Sequence, residues 1–590
     1  MLKNFFISML GAIAGFWISM MMFVVIGFAM IIGSAASALV NSQSASSSIE
    51  KESVLVIDLD SSIDERPMPR TLQAIINDTP ESQSLVNILR AINIAKDDDR
   101  IEGIYINCQG SAAGVATRQA IARALSDFRE SGKWIVAYGD NYMQGDYYMI
   151  SCADYIFLNP AGAVDVRGIA STIPFFKGLL DKVGVEMQVF KVGTYKSAVE
   201  PYILNNMSDA NREMTQYFLN NIWGDIASTI ATNRGVKVET VNMWADSLVA
   251  FDSPQKMVDL KVVNELKYAD EVIEHLKGLT NVKKGKDVRM IDYATYNTLT
   301  EAPHDKKAKN KIAVYYACGD ITDNGSDGIV GAKVVPDILA LAEDDDIEAL
   351  VLRVNSGGGS AFASEQIWHA LEVFKSKGKT FYVSMGDYAA SGGYYISCGA
   401  EKIYAEPATL TGSIGIFGMI PCFKELVNDK LGINFGIVST NANSNFPSVL
   451  EPATPFQASR MQAAINRGYE LFTSRCAEGR HLPQDSIKAI GEGRVWDGRT
   501  ALRIGLVDEL GGLDTTIDAL AQKMNYKKYQ VVVYPETEQT FWDIIAEMPA
   551  RVQANAMRDE LGSFYPVYQE VKRLENLDPI QARMLPMTVK

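Results

Sequence analysis

The chain carries one pattern twice, and this duplication constrains its fold more than any other feature of its 590 residues. Gly132-Lys133 recurs as Gly378-Lys379, and Ile150-Ser151-Cys152 as Ile396-Ser397-Cys398, each 246 residues apart (378 − 132; 396 − 150). Ile101-Glu102-Gly103-Ile104 likewise returns as Ile347-Glu348-Ala349-Leu350, and an Asp triplet precedes each copy. A duplicated fold repeats its core but is free to change its chemistry. Carried through, the constant offset sets Ser391 opposite Gly145 and Lys196 opposite Ala442. A hydroxyl then stands in one half and an amine in the other, with neither duplicated.

The length exceeds what one core supports, so two related domains plus terminal segments are expected. The net charge of −15 argues against a nucleic-acid partner, which calls for clustered Lys and Arg. Six cysteines without CxxC or metal-type spacing do not form a disulfide framework in so long a chain. No charge interrupts the stretch between Lys3 and Glu50, and Phe5 to Ile32 is almost wholly apolar. Those 28 residues exceed the roughly 20 that cross a bilayer as a helix and the shorter core of a cleaved signal. Residues 1–40 are therefore expected to anchor the chain in a membrane, although Ala36-Ser37-Ala38 also resembles a cleavage site. Residues 41–51 read as a polar tether, and the charge balance across the span favours a body outside the cytoplasm.

Short apolar runs alternate with segments of helical period in both halves. Val54 to Ile57, Ile104 to Cys108 and Trp134 to Ala137 read as strands in the first copy. Ile312 to Tyr316, Leu350 to Val354 and Thr380 to Ser384 read as strands in the second. This order predicts an α/β fold with a mostly parallel sheet covered by helices. Residues 52–299 and 311–535 are the expected domains, with a lysine- and proline-bearing linker at 300–310 and a helical extension at 536–590.

Four histidines, His275, His304, His369 and His481, lie in no nucleophile-like turn or HExxH pattern, and no phosphate-binding glycine motif is present. Ser391 is flanked by Ala389-Ala390 and Gly392-Gly393, which leaves it unobstructed at a strand-to-helix turn. It suits either a helix N-cap or a nucleophile beside an N–H able to hold an oxyanion. Asn355 to Ser360, rich in glycine, follows a strand and opens a helix, as an anion-holding loop or a tight turn would. Lys196 has Tyr195, Ala198 and Val199 around it, and burial among them would lower its pKa toward that of a usable base.

The segments Gly193-Thr194-Tyr195-Lys196-Ser197-Ala198-Val199-Glu200-Pro201 and Ala389-Ala390-Ser391-Gly392-Gly393-Tyr394-Tyr395 resemble signature motifs of the signal peptide peptidase A (protease IV) family, long form. Leu410 to Gly415, Gly493 to Trp496 and Gly505 to Leu510 share the likeness, which runs from about residue 52 to 530. The resemblance implies two tandem Clp-protease/crotonase-like domains behind an N-terminal transmembrane helix. It implies a Ser-Lys serine peptidase with Ser391 as nucleophile and Lys196 as general base. Ser413 would orient the lysine, and the N–H groups of Gly392 and Gly359 would form the oxyanion hole. Gly357 stands where the family usually has proline, a departure expected to loosen that loop. The family needs no metal or organic cofactor, forms homo-oligomers (commonly tetramers), and degrades hydrophobic signal peptides at the bacterial inner membrane from the periplasmic side. A crotonase-like acyl-CoA hydratase or isomerase would explain the glycine loop but neither Ser391 nor the membrane span, and a noncatalytic membrane scaffold is the alternative from another class.

Overall fold

The computed structural model describes residues 48–66, 82–280, 282, 286–301, 307–325, 327–536 and 580–585. The expected membrane anchor at 1–40 lies outside them, as do most of the tether and residues 302–306 of the linker. Among the described residues, no helix is long and apolar enough to cross a membrane.

Each half builds the same parallel sheet. In the first, the strand order is Glu265–Leu266, Tyr155–Leu158, Trp134–Gly139, Ile101–Cys108, Ser53–Leu59 and Arg289–Asp292. In the second it is Glu509–Leu510, Lys402–Ala405, Thr380–Ala390, Ile347–Ser356, Lys311–Cys318 and Gln530–Tyr534. The central strands are near-continuous apolar runs because helices cover both faces and most of their side chains are buried. Polar caps start the covering helices: Ser84 Oγ accepts from Asn87 N ahead of Leu85–Asp97, and Ser360 Oγ from Ala363 N ahead of Ala361–Ser376.

The repeat is not in constant register. The hydroxyls of Tyr147 and Tyr394 donate to Val262 O (2.7 Å) and Leu506 O (2.9 Å), the same bond in each half. These tyrosines are 247 residues apart (394 − 147). Asp154 N donates to Ile135 O as Glu401 N donates to Phe381 O; the donors differ by 247 (401 − 154) and the acceptors by 246 (381 − 135). One extra residue between Phe381 and Tyr394 accounts for the step. Ser391, set opposite Gly145 by the constant offset, falls inside that stretch, whose first-half counterpart holds Met143, Gln144 and Gly145 at the start of the matching helix. Ala442, set opposite Lys196 by the same offset, lies in an exposed loop.

A third sheet joins the halves. Its order is Ile329–Val330, Ile321–Thr322, Gly358–Ser360, Ile580–Arg583, Phe417–Cys422 and Glu186–Lys191. The strand Glu186–Lys191 of the first half thus runs antiparallel to Phe417–Cys422 of the second. The expectation of a helical extension over 536–590 fails at Ile580–Arg583, which is a strand. Its sequence has no strong β preference. Pairing with Gly358–Ser360 on one side and Phe417–Gly418 on the other overrides local propensity.

Candidate active site

Ser391 ends the strand Thr380–Ala390 and immediately precedes the helix Gly392–Ser397. Its backbone is forced to φ 56°, ψ −112°, a region that costs a non-glycine residue roughly 1–3 kcal/mol. It occupies the N-cap position, yet its side chain makes no capping hydrogen bond. The hydroxyl instead points at Lys196, whose Nζ stands 2.7 Å from Ser391 Oγ. Of the two readings open to this serine, helix cap or reacting group, the side chain takes the geometry of the second.

Lys196 reaches the serine from the other half of the chain. Its loop is clasped by the second half: Tyr195 N donates to Glu492 O (2.9 Å), and the Arg494 guanidinium stacks on the rings of Tyr195 and Trp496. Gly493, at φ +80°, lies so close that a Cβ there would sit 2.7 Å from Lys196 Cα. The lysine is 1% exposed and the serine 0%. Lys196 Nζ also lies 3.0 Å from Ser413 O and 3.2 Å from Ser413 Oγ. None of these partners is charged. Burial alone therefore pushes the amine pKa well below the ordinary lysine range.

Ser413 shares the strained backbone, with φ 50°, and its N–H donates to Arg494 O (2.7 Å). Gly392 opens a helix, so its N–H has no intrahelical acceptor. Gly359 lies in the strand Gly358–Ser360, packed on the Ile321 backbone, and its neighbour Gly358 is the residue that lies beside Gly392 N. Gly357 does not need to be glycine, because a Cβ there would meet nothing within 4 Å. Its loop is tied down all the same, by Met584 N donating to Gly357 O (2.8 Å).

The corresponding place in the first half is chemically filled. Gln144, at the start of the matching helix, spends its amide on the loop Arg167-Gly168, accepting from both N–H groups and donating to Gly168 O. Arg118 and Asp146 occupy the space beside it, with Ser111 Oγ donating to Asp146 Oδ1. The two half-sites therefore differ in kind: one is packed with polar ties, and the other holds a hydroxyl beside a buried amine that has no charged partner.

Sequence reasoning named Ser391, Lys196, Ser413, Gly392 and Gly359; the fold brings the first four together and places Gly358, the residue before Gly359, beside Gly392. It missed Glu492 and Gly493 as the clasp on the lysine loop, although Gly493 to Trp496 had stood out as a motif. It also missed residues 580–585, which carry no local signal. His275 packs edge-on against Tyr155 and Phe157, and His481 terminates a helix. Among the described residues, no cluster of His, Cys, Asp or Glu could hold a metal ion.

The peptidase family S49 model matches residues 127–283 and 373–527, and the Clp protease model matches residues 321–409. Protease 4 of Salmonella typhi is 36% identical over 488 residues, covering 81% of this chain and 78% of that protein. Protease 4 of Haemophilus influenzae is 36% identical over 459 residues, covering 76% and 74%. The chloroplastic serine protease SPPA of Arabidopsis thaliana is 29% identical over 498 residues, covering 82% and 73%. The two S49 matches fall one in each half, and each covers part of its sheet.

Proposed function

The chain belongs to peptidase family S49 and is a serine peptidase of the long, duplicated form; from this premise we propose that it cuts hydrophobic peptides, signal peptides among them, through Ser391 and Lys196. The observation that carries the reading is a fully buried amine, with no charged partner and a pKa pushed well down by burial, 2.7 Å from a serine hydroxyl. Neutral Lys196 accepts the Ser391 proton as Oγ attacks the peptide carbonyl, then returns it to the leaving amine. Water, deprotonated by the same lysine, releases the acyl group and restores the serine. The N–H groups of Gly392 and Gly359 hold the carbonyl oxygen as it becomes an oxyanion. Ser413 keeps the amine aimed, and these steps draw on no metal or organic cofactor.

The substrate class follows from the walls of the site and from kinship. Ala198, Met214, Val495 and Leu585 wall the space beside the buried lysine, and such apolar walls suit apolar peptides. A relative in Enterococcus faecium, 28% identical over 40% of this chain, carries the name putative signal peptide peptidase SppA. We place residues 1–40 in the bacterial inner membrane, with the body on the periplasmic side and residues 52–299 and 311–535 as its two domains. We take the assembly to be a homotetramer. Hydrolysis of an apolar peptide by the purified chain tests the core of this proposal. Ser391→Ala and Lys196→Ala should each lower kcat/KM by at least about 10³-fold with the fold intact, and near-normal turnover by either variant refutes it.

A further inference from the structure

The second half holds two thiols side by side. Cys398 is the C-cap of Gly392–Ser397, the helix that begins beside Ser391, and its Sγ donates to Tyr395 O (3.2 Å). Cys476 lies near the end of the long helix Pro455–Arg480. Both cysteines are free, and both are 0% exposed.

The two helices meet along one line and in a fixed register. Tyr395 stacks on Phe472, with ring centroids 4.3 Å apart and planes at 17°. One turn further along each helix come Cys398 and Cys476, whose thiols are hydrogen-bonding partners. One turn beyond Cys476, a Cβ on Gly479 would lie 2.1 Å from Cys398 O and 2.9 Å from Gly399 Cα. The absence of a side chain at 479 therefore lets the two backbones touch, which brings the thiols within reach of each other. The matching helix of the first half is Asp209–Arg234. Arg234 Nε donates to Lys261 O as Arg480 Nε donates to Gly505 O, and the helices end on left-handed residues, Gly235 and His481. Asp209–Arg234 contains no cysteine, and Cys152 has the Ser126 side chain as its partner instead. The pair belongs only to the half that carries Ser391.

We propose that Cys398 and Cys476 are a redox site, and that a disulfide between them fastens the helix behind Ser391 to Pro455–Arg480. The bond forms by thiol–disulfide exchange with a disulfide oxidant. The thiolate of one cysteine attacks the oxidant's S–S bond and expels a first thiol. The other cysteine then attacks the mixed disulfide and expels a second. The pair loses two protons and two electrons, and the oxidant is reduced to two thiols. Burial pushes the Cys476 thiol well above its ordinary range, so exchange is slow in the packed chain. The bond is made while the helices are apart, in folding or local opening, and is shielded from reductants once they close. It spans 78 positions (476 − 398), a long loop whose closure restricts the unfolded chain. The chemistry proposed for Ser391 is not needed for any of these steps.

Full-length chain in detergent is reduced, then equilibrated with oxidised glutathione in urea below the unfolding midpoint. It is alkylated with iodoacetamide in full denaturant and mapped by mass spectrometry. Four alkylated cysteines (6 − 2) and a Cys398–Cys476 cross-link are expected. The oxidised wild type should melt several degrees above the reduced protein, and Cys476→Ser should show no such shift. Cys398→Ala gives the same answer from the other helix should Cys476→Ser loosen the core. Six alkylated cysteines, glutathione adducts without a cross-link, or a cross-link between other cysteines overturns the proposal. So does a melting shift that persists in both variants. Failure of the wild type to hydrolyse peptides would leave the cross-link standing and count against Ser391 instead.

Discussion

Asp387, four residues before Ser391, accepts hydrogen bonds from the Thr117 backbone N–H (3.1 Å) and hydroxyl (2.7 Å). Thr117 lies in the first turn of the helix Val115–Arg129, whose own N-cap, Gly114, supplies no side-chain acceptor. One half of the chain thus caps a helix of the other, from the strand that delivers the serine. Asp387→Ala is expected to cost about 1 kcal/mol of stability and to lower kcat roughly tenfold by letting that strand drift from the lysine. Urea denaturation and steady-state kinetics check both. An unchanged unfolding midpoint would show that the cap carries no weight.

The lysine makes activity depend on pH in a stated direction. Its pKa is depressed in the fold, so the neutral base is lost as pH falls through that lowered value. Log kcat/KM should rise with unit slope below it and level off above. Stability has the same sign: the unfolded chain binds a proton that the folded lysine refuses, so stability rises with pH between the folded and unfolded values. Lys196→Met should abolish activity and flatten that part of the stability profile. A profile as steep as wild type would mean that some other group titrates.

Ser413 touches Lys196 through both its carbonyl and its hydroxyl. Ser413→Ala removes only the hydroxyl. We expect kcat to fall about 10- to 100-fold with KM little changed, as for loss of an orienting group, and the acidic limb of the pH profile to move. An equal rise in KM would instead assign Ser413 to substrate binding.

Glu65 forms a buried ion pair with Arg353 (2.9 Å) and also accepts from Asn355 Nδ2 (2.9 Å). It ties the first half to the strand that leads into the glycine loop. Glu65→Ala leaves a buried guanidinium without its carboxylate, at a cost of about 3–5 kcal/mol. The double variant Glu65→Met with Arg353→Met should be markedly more stable than the single one. Thermal unfolding distinguishes the two, and a harmless Glu65→Ala contradicts the account.

Gly493 and Gly378 both have positive φ, near 80°, but only Gly493 has a neighbour within reach of a Cβ. Alanine at Gly378 should cost roughly 1–2 kcal/mol of stability from the backbone alone and spare activity. Alanine at Gly493 must also push the Lys196 backbone aside, and activity should drop about 10²-fold. Equal loss of activity in the two would argue that the clasp is irrelevant.

The duplicated parallel sheets were legible because their strands are unbroken apolar runs recurring in order, a signal that survives divergence of everything around it. The register was legible only to within one residue. The extra residue lies between Phe381 and Tyr394, inside matching motifs, where no count of positions reveals it. Hydrogen bonds from two tyrosines do. The strand at 580–583 was illegible, because its pairing partners lie more than 150 residues away and nothing in Ile-Gln-Ala-Arg prefers an extended chain.

The amino-acid order by itself determined the two-domain α/β architecture and the residue types available for reaction, since hydrophobic period and side-chain chemistry are local properties. Whether Lys196 is a charged surface residue or a dry base was decided only by the tertiary structure. That depends on which groups 195 and 217 positions away, Ser391 and Ser413, close around its amine and exclude water. Desolvation is a property of the assembled surroundings, and no short stretch of sequence contains it.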